Sequence, residues 1–192
     1  MYDVVIFTEN TDPMQIAIPL GGFKVASVLR KNNFPTLVVN HLSTYSMAEI
    51  KNIIDLAISV NTLVVGFSST FLRFVDTDTS AYTKSTIDTI FPQGKEFEDE
   101  VISYIRQKNE NIKFIVGGTK TTAEYYNTNI DYVFLGYSET SIIDLMRHLT
   151  ENIALPNSTV NQFGITIVDD RKALSYKFTE DKMIWEKTDV VN

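Results

Sequence analysis

The sequence has 192 residues, 44% of them hydrophobic, which suits one domain, or one domain with a small appendage, and a core that needs no staples. Its net charge of −7 disfavours nonspecific nucleic-acid binding, which depends on Lys and Arg meeting phosphates. There is no cysteine, so disulfides, cysteine-based zinc sites, iron–sulfur ligation and a thiol nucleophile are excluded within this chain, and a cytoplasmic setting is expected.

The opening segment MYDVVIFTEN has no basic region before its short apolar run and reads as a strand, not a signal peptide. No apolar stretch approaches the roughly 20 residues of a membrane helix, so no membrane partner is expected. Five apolar runs recur along the chain: Val4 to Phe7, Thr36 to Val39, Thr62 to Phe67, Lys113 to Val116 and Tyr132 to Leu135. They are continuous and do not alternate, which suits strands covered on both faces of a parallel sheet.

Helical spacing fills the gaps between these runs. Leu20, Phe23, Ala26, Val28 and Leu29 form a stripe ending near Asn32 and Asn33. Ser46, with Glu49 three residues later, is a capping-box pattern that opens a helix carrying Met47, Ile50, Ile53, Ile54 and Ala57. Phe97, Val101, Ile102 and Ile105 make a third stripe, and Ala123 to Asn127 a short fourth helix capped by Thr119 or Thr121. A fifth begins at Ser138, with Ile142, Ile143, Leu145, Met146 and Leu149 inward. The alternation predicts an α/β fold, a doubly wound parallel five-stranded sheet in flavodoxin-like order 2-1-3-4-5.

Two regions break the rhythm. Ser68 to Gln93 is long and polar, with Asp76 and Asp78 in its middle. After Asn152, Phe163 to Val168 and Ala173 to Phe178 read as strands, and Met183 to Trp185 as a short third. The division expected is therefore an α/β domain over 1–152 and a small C-terminal β appendage over 153–192. The appendage is expected to dock against a missing domain or a second copy of the chain.

In an open parallel sheet, ligands bind beyond the carboxyl ends of the strands. The residues following the strands here are Glu9 to Pro19, then Gly21 and Gly22; Asn40 and His41; Ser68, Ser69 and Thr70; Gly117, Gly118 and Thr119; and Gly136, Tyr137, Ser138 and Glu139. The set is small, polar and glycine-rich. Taken singly, its glycines read as tight strand-to-helix turns; taken together, they read as room for a ligand approaching the backbone.

The blocks PLGGFKVASVLRKNNF, VVGFSST, FIVGGTKTT and VFLGYSETSIIDLMRHL resemble successive blocks of the cobalamin-binding domain at the N-terminus of many radical S-adenosylmethionine enzymes, over residues 1 to about 150. The tail YKFTEDKMIWEKTDVVN resembles the lead-in to the catalytic barrel of such enzymes, whose three-cysteine cluster motif is absent from this chain. The resemblance implies a cofactor-binding site. Gly66 and Ser68 match the Gly-x-Ser that meets the lower face and nucleotide tail of cobalamin, and Gly117 and Gly118 match the paired glycines beside that tail. Gly136 and Glu139 match the outer positions of a Gly-Glu-Gly-Glu block, from which Tyr137 and Ser138 depart. The first loop lacks the Asp-x-His-x-x-Gly motif, so cobalamin is expected without a protein histidine ligand. The implied partner is a radical S-adenosylmethionine catalytic domain, of methyltransferase type, in cis or in trans; a homodimer is the alternative that the appendage itself suggests. No catalytic residue and no iron–sulfur cluster is expected in this chain.

The remaining signals are weaker. His41 follows the second strand, where it reads as a loop residue or one within reach of a ligand; His148 reads as surface or structural, and no metal site is expected. Asp76 and Asp78 suit a solvated loop better than a cation site, and Tyr176 and Trp185 suit packing anchors. A phospho-receiver needs an acceptor Asp and a Lys where Ser68 and Gly136 stand. A flavodoxin phosphate loop would not carry Glu9 and Asp12, and Gly21–Gly22 does not supply Gly-x-Gly-x-x-Gly. Two readings survive: a module that presents cobalamin to a catalytic domain, and a cofactor-free interaction module of the same shape. A hydrolase is a distant third, with no nucleophile–base pair visible.

Overall fold

The computed structural model describes residues 2–9, 20–68, 94–118 and 128–171. In chain order these form β1 (Val4–Phe7), α1 (Leu20–Lys31), β2 (Thr36–Val39), a 3-10 turn at Leu42–Thr44 and α2 (Met47–Ala57). They continue as β3 (Val64–Ser68), α3 (Lys95–Lys108), β4 (Lys113–Gly117), β5 (Tyr132–Leu135), α4 (Ser141–Glu151), β6 (Ser158–Val160) and β7 (Thr166–Asp169). One sheet runs in the order β2-β1-β3-β4-β5-β7-β6. All neighbours are parallel except β6, which runs antiparallel along the outer edge of β7.

The helix ends follow local chemistry. At the start of α2 the Ser46 side chain accepts from the Glu49 N–H, and the Ser46 N–H donates to Glu49 Oε2 at 2.8 Å, the reciprocal pair expected from the sequence. Just past the end of α1, Asn33 at φ +65° turns the chain so that the Phe34 N–H donates back to the Leu29 carbonyl at 3.0 Å. Arg30 then clamps the Thr36 carbonyl from Nε (3.0 Å) and Nη2 (2.7 Å), aiming the chain into β2.

Strand side chains alternate between two apolar layers. Val4, Ile6, Val64, Ile115, Tyr132, Phe134 and Val168 pack with Ala26 and Leu29 of α1 and with Ile142, Ile143, Leu145 and Met146 of α4. On the other face Val5, Phe7, Val65, Phe67, Phe114, Val116, Val133 and Leu135 meet Ile50 and Ile54 of α2 and Val101, Ile102 and Ile105 of α3. The rings of Phe7, Phe67 and Phe114 stack along this second face at centroid spacings of 5.7 and 6.4 Å. Outside it, ion pairs Lys51–Glu100 and Lys108–Asp55, both 2.6 Å, stitch α2 to α3.

The order 2-1-3-4-5 is observed, but two strands from the expected appendage extend the sheet past β5 to seven strands. Ile165 and Ile167 join the α2/α3 layer and Val168 the α1/α4 layer, so this segment buries side chains on both faces. The strand expected from Phe163 begins only at Thr166. The Asn161 side chain accepts from the Phe163 and Ile165 N–H groups at 2.9 and 3.1 Å, and Gly164 sits at φ +80°, which together hold a turn there. α4 begins at Ser141, three residues after Ser138, whose carbonyl accepts from the Ile142 N–H at 2.9 Å. The expected helix at Ala123–Asn127, the strands at Ala173–Phe178 and Met183–Trp185, and the polar stretch from Ser69 lie outside the described residues. Among the described residues no helix is long and apolar enough to cross a membrane.

Candidate functional site at the carboxyl ends of the strands

The two faces of the sheet end differently. On the α2/α3 side the carboxyl ends are closed by Phe7, Val39, Leu42, Phe67, Val116 and Leu135, all buried. On the α1/α4 side the alternation carries apolar residues into small and polar ones. Ile6 is followed two residues on by Thr8, Val38 by Asn40, Gly66 by Ser68, Ile115 by Gly117, Phe134 by Gly136 and Val168 by Asp170. Gly21 and Gly22, in the first turn of α1, lie over this row without side chains of their own. A Cβ at Gly21 would stand 4.0 Å from Ser68 Oγ, and one at Gly22 3.6 Å from Thr8 Cβ. From the other side, Ser138 Oγ lies 3.4 Å from where a Gly117 Cβ would be.

The polar groups of this rim are not all satisfied. Among the described residues the buried side-chain oxygens without a hydrogen-bond partner are Thr8 Oγ1, Asn40 Oδ1, Ser141 Oγ and Asp170 Oδ2. All lie at the carboxyl end: Thr8 after β1, Asn40 after β2, Ser141 at the start of α4 and Asp170 after β7. The amino-end loops differ. There Thr36 Oγ1 donates to the Phe34 carbonyl and Thr62 Oγ1 to the Tyr2 carbonyl, both at 2.8 Å, and Asp131 Oδ2 accepts from the Phe114 N–H at 2.8 Å. An unsatisfied buried polar group costs about 1–3 kcal/mol, so such groups collected at one end of a sheet mark a place where something else bonds them.

The charges at the rim are mostly committed. Lys24 of α1 pairs with Glu139 at 2.9 Å, tying α1 to the turn before α4. Arg171 grips Asp169 through Nε and Nη2 at 2.9 and 2.7 Å, and this pairing raises its already high pKa. The buried atoms left over are oxygens, so the rim presents acceptors and hydroxyls.

The residues singled out from the sequence divide into those that shape the strip and those with a structural task. Ser68 and Gly117 lie opposite one another in the β3–β4 register, beneath Gly21 and Ser138. Gly118 follows at φ +122°, a conformation that favours glycine. Gly66 lies one layer deeper, where a Cβ would come within 3.2 Å of Ile115 Cγ1, so its missing side chain is filled by the core. Gly136, at φ +93°, lets the chain after β7 cross: a Cβ there would lie 3.1 Å from the Arg171 nitrogen and 3.2 Å from the Asp170 carbonyl carbon. Glu139 holds Lys24. Ser69, Thr70 and Thr119 lie outside the described residues. Of the histidines, His41 is half-buried at the rim in a left-handed conformation (φ +59°), and His148 Nδ1 bonds the Ile153 carbonyl at 2.7 Å, closing the end of α4. Sequence reasoning misses Thr8, Ser141 and Asp170, and places Asn40 only as a residue following β2. The available signal is the period of two, continued past the strand ends.

A polar cavity of about 220 Å³ lies at the opposite, amino end, lined by Lys113, Asp131, Tyr132, Phe163 and Thr166 among others. Asp131 there is engaged by the Phe114 N–H and lies 3.7 Å from Lys113 and 3.9 Å from Arg106. Burial, with Asp131 adding to it, raises the Tyr132 hydroxyl pKa.

No protein-family pattern matches the sequence, and no curated protein matches it. Solved structures do. The fold resembles that of the radical S-adenosylmethionine methyltransferase TsrM from Kitasatospora setae with cobalamin and a 4Fe-4S cluster bound: TM-score 0.56 and 16% identity, over 85% of this chain and 30% of that one. The same methyltransferase with tryptophan substrate and the analogue aza-SAM bound gives a TM-score of 0.54 and 14% identity, over 88% of this chain and 30% of that one. At such identities the likeness is one of fold, and this chain spans less than a third of those proteins. The likeness is that of an α/β domain with a mostly parallel sheet, the fold this chain shares with part of that methyltransferase.

Proposed function

We propose that this chain is a cobalamin-binding module that presents its cofactor to a radical S-adenosylmethionine catalytic domain carried elsewhere, in cis or in trans. The observation that supports this most is the row of small and unpartnered polar residues along the α1/α4 side of the carboxyl ends, in a fold shared with a cobalamin-bound methyltransferase. The row suits a bulky ligand with a polar edge: glycines leave space beside the backbone, and Thr8, Asn40, Ser141 and Asp170 offer bonds now unmade.

Cobalamin would supply a cobalt centre that takes up and hands on a methyl group. The chain's own part is to bind and orient. Ser68 and Gly117, with Gly118 beyond, are the residues proposed to receive the nucleotide tail; the amino end of α1 lies directly over Ser68. No histidine stands between Thr8 and Gly22, so the lower face of the cobalt is proposed to lack a protein histidine. The second reading, a cofactor-free interaction module, draws on the Lys24–Glu139 pair and the filled space beside Gly66, which occupy two positions that the resemblance assigns to cofactor.

Titration with hydroxocobalamin, followed by visible absorption, tests the proposal. Gly117→Val should abolish binding, because its methyl groups would stand in the strip beside Ser138, whereas Ser68→Ala should weaken it by roughly two- to tenfold, the worth of one hydrogen bond. Gly117 is a better position for this than Gly118, where positive φ would strain any larger side chain. A folded chain that binds no cobalamin favours the cofactor-free module. A nitrogen-ligated spectrum that disappears in His41→Ala overturns the expected lack of a histidine ligand.

A further inference from the structure

The unpartnered oxygens of Thr8 and Asn40 form a pair. Thr8 continues β1 and Asn40 follows β2, on adjacent strands. The Thr8 N–H donates to the Val39 carbonyl at 2.9 Å, and the Leu42 N–H donates to the Thr8 carbonyl at 3.3 Å, so backbone bonds on either side of Asn40 fix the two residues beside each other. The alternation sends both side chains to the α1/α4 side, where Thr8 is fully buried and the Asn40 oxygen is shielded from solvent. Thr8 Oγ1 can donate its proton; Asn40 Oδ1 can only accept.

We propose that Thr8 and Asn40 form a recognition site for a primary carboxamide, whose N–H donates to Asn40 and whose carbonyl accepts from Thr8. A carboxylate would meet Asn40 Oδ1 with no proton to give, and an ammonium would leave the Thr8 proton without an acceptor. A carboxamide satisfies both, one bond in each direction. In its choice of ligand this rests on the cobalamin reading, since the corrin ring carries primary carboxamides around its edge; the recognition chemistry belongs to Thr8 and Asn40 alone.

The experiment has three readouts, on the full chain. The first is thermal stability of the free protein. Thr8→Val keeps the shape and removes an unsatisfied hydroxyl, so the melting temperature should hold or rise. A fall means that the hydroxyl is already bonded, by protein or by water, and overturns the proposal. The second is affinity for hydroxocobalamin, for its monocarboxylate derivatives, in which one peripheral amide is hydrolysed, and for dicyanocobinamide, which lacks the nucleotide. Thr8→Val and Asn40→Leu should each weaken cobalamin and cobinamide binding by roughly two- to tenfold, with Thr8→Ser restoring it. One monocarboxylate should bind wild type more weakly than cobalamin does, and lose that difference in the variants. Unchanged cobalamin binding by both variants overturns the carboxamide site and leaves the cobalamin reading standing. If wild type binds no corrinoid, the cobalamin reading fails, and the third readout decides the site: backbone NMR signals around Thr8 and Asn40 should shift with propionamide and not with propionate. No shift, or equal shifts with both, overturns the proposal.

Discussion

Gly117 ends β4 and Gly136 follows β5, both on the α1/α4 side of the sheet, yet an alanine should do very different things at the two places. At Gly136 the backbone sits at φ +93°, which costs an L-residue about 1–2 kcal/mol. The added Cβ would also stand 3.1 Å from the Arg171 nitrogen and 3.2 Å from the Asp170 carbonyl carbon, both backbone atoms of a segment held by the 3.0 Å bond from the Asp170 N–H to the Leu135 carbonyl. Relieving such an overlap costs about 1–3 kcal/mol. The two costs share one relaxation and do not simply add, so Gly136→Ala should lose about 2–4 kcal/mol. At Gly117 no positive φ is required, and the new Cβ meets Ser138 Oγ at 3.4 Å and Phe134 Cβ at 3.5 Å, ordinary contacts. Gly117→Ala should therefore stay within about 1 kcal/mol of wild type, in either direction. Urea unfolding followed by circular dichroism measures both, with unchanged m-values required for the comparison. If Gly136→Ala falls within about 1 kcal/mol of wild type, or Gly117→Ala loses as much as Gly136→Ala, then close passage of the Asp170–Arg171 backbone is not what demands a glycine at position 136.

Deleting residues 153–192 should destabilise the whole domain, because Ile165, Ile167 and Val168 leave both apolar layers, at about 1.5–3 kcal/mol for each buried side chain; a truncated chain with a wild-type urea midpoint would refute this. Acid should weaken the fold through a small set of exposed carboxylates. Lys108, then Tyr104, lowers the Asp55 pKa; Lys95, then Asn129, lowers that of Asp99; and Ser46 lowers that of Glu49. Lowered carboxylates contribute stability that is present above their ordinary values and lost as pH falls through the lowered ones, so the midpoint should hold from about pH 7 to pH 5 and drop below about pH 4. A midpoint that falls already between pH 7 and pH 5 would point to other groups. Ser46→Ala and Glu49→Gln should each lower the midpoint, and the double variant should lose less than the sum, because both act through one reciprocal cap.

The sheet was legible because its inner strands are short continuous runs, such as Val4–Phe7 and Tyr132–Leu135, that bury every side chain. The start of α2 was legible because a capping box is local: Ser46 and Glu49 suffice. β6 was not legible. Its three residues are partly or wholly exposed, and only pairing with Thr166–Val168 makes them a strand. Nor does the sequence separate the uses of its glycines: Gly66 yields to Ile115, Gly136 to the Asp170–Arg171 backbone, and Gly117 borders the rim. Those differences depend on what packs opposite, and that is fixed only when distant strands meet. The unpartnered oxygens of Ser141 and Asp170 were hidden for the same reason, since neither residue type signals anything until its surroundings fail to bond it.

The position of β7 has a mechanical consequence. It lies between β5 and β6, hydrogen-bonded on both sides, and the chain leaves it at the carboxyl end while β1 is entered from the amino end. Tension applied between residues 2 and 171 therefore runs obliquely across the sheet, because β3, β4 and β5 lie between β1 and β7. Its component along the strands loads the parallel β5–β7 ladder in shear, all bonds at once, where a hairpin pulled from one end would unzip its bonds in turn. A pull along β7 from Arg171 is therefore shared across the β5–β7 ladder and passed to β5 without opening its bonds one by one.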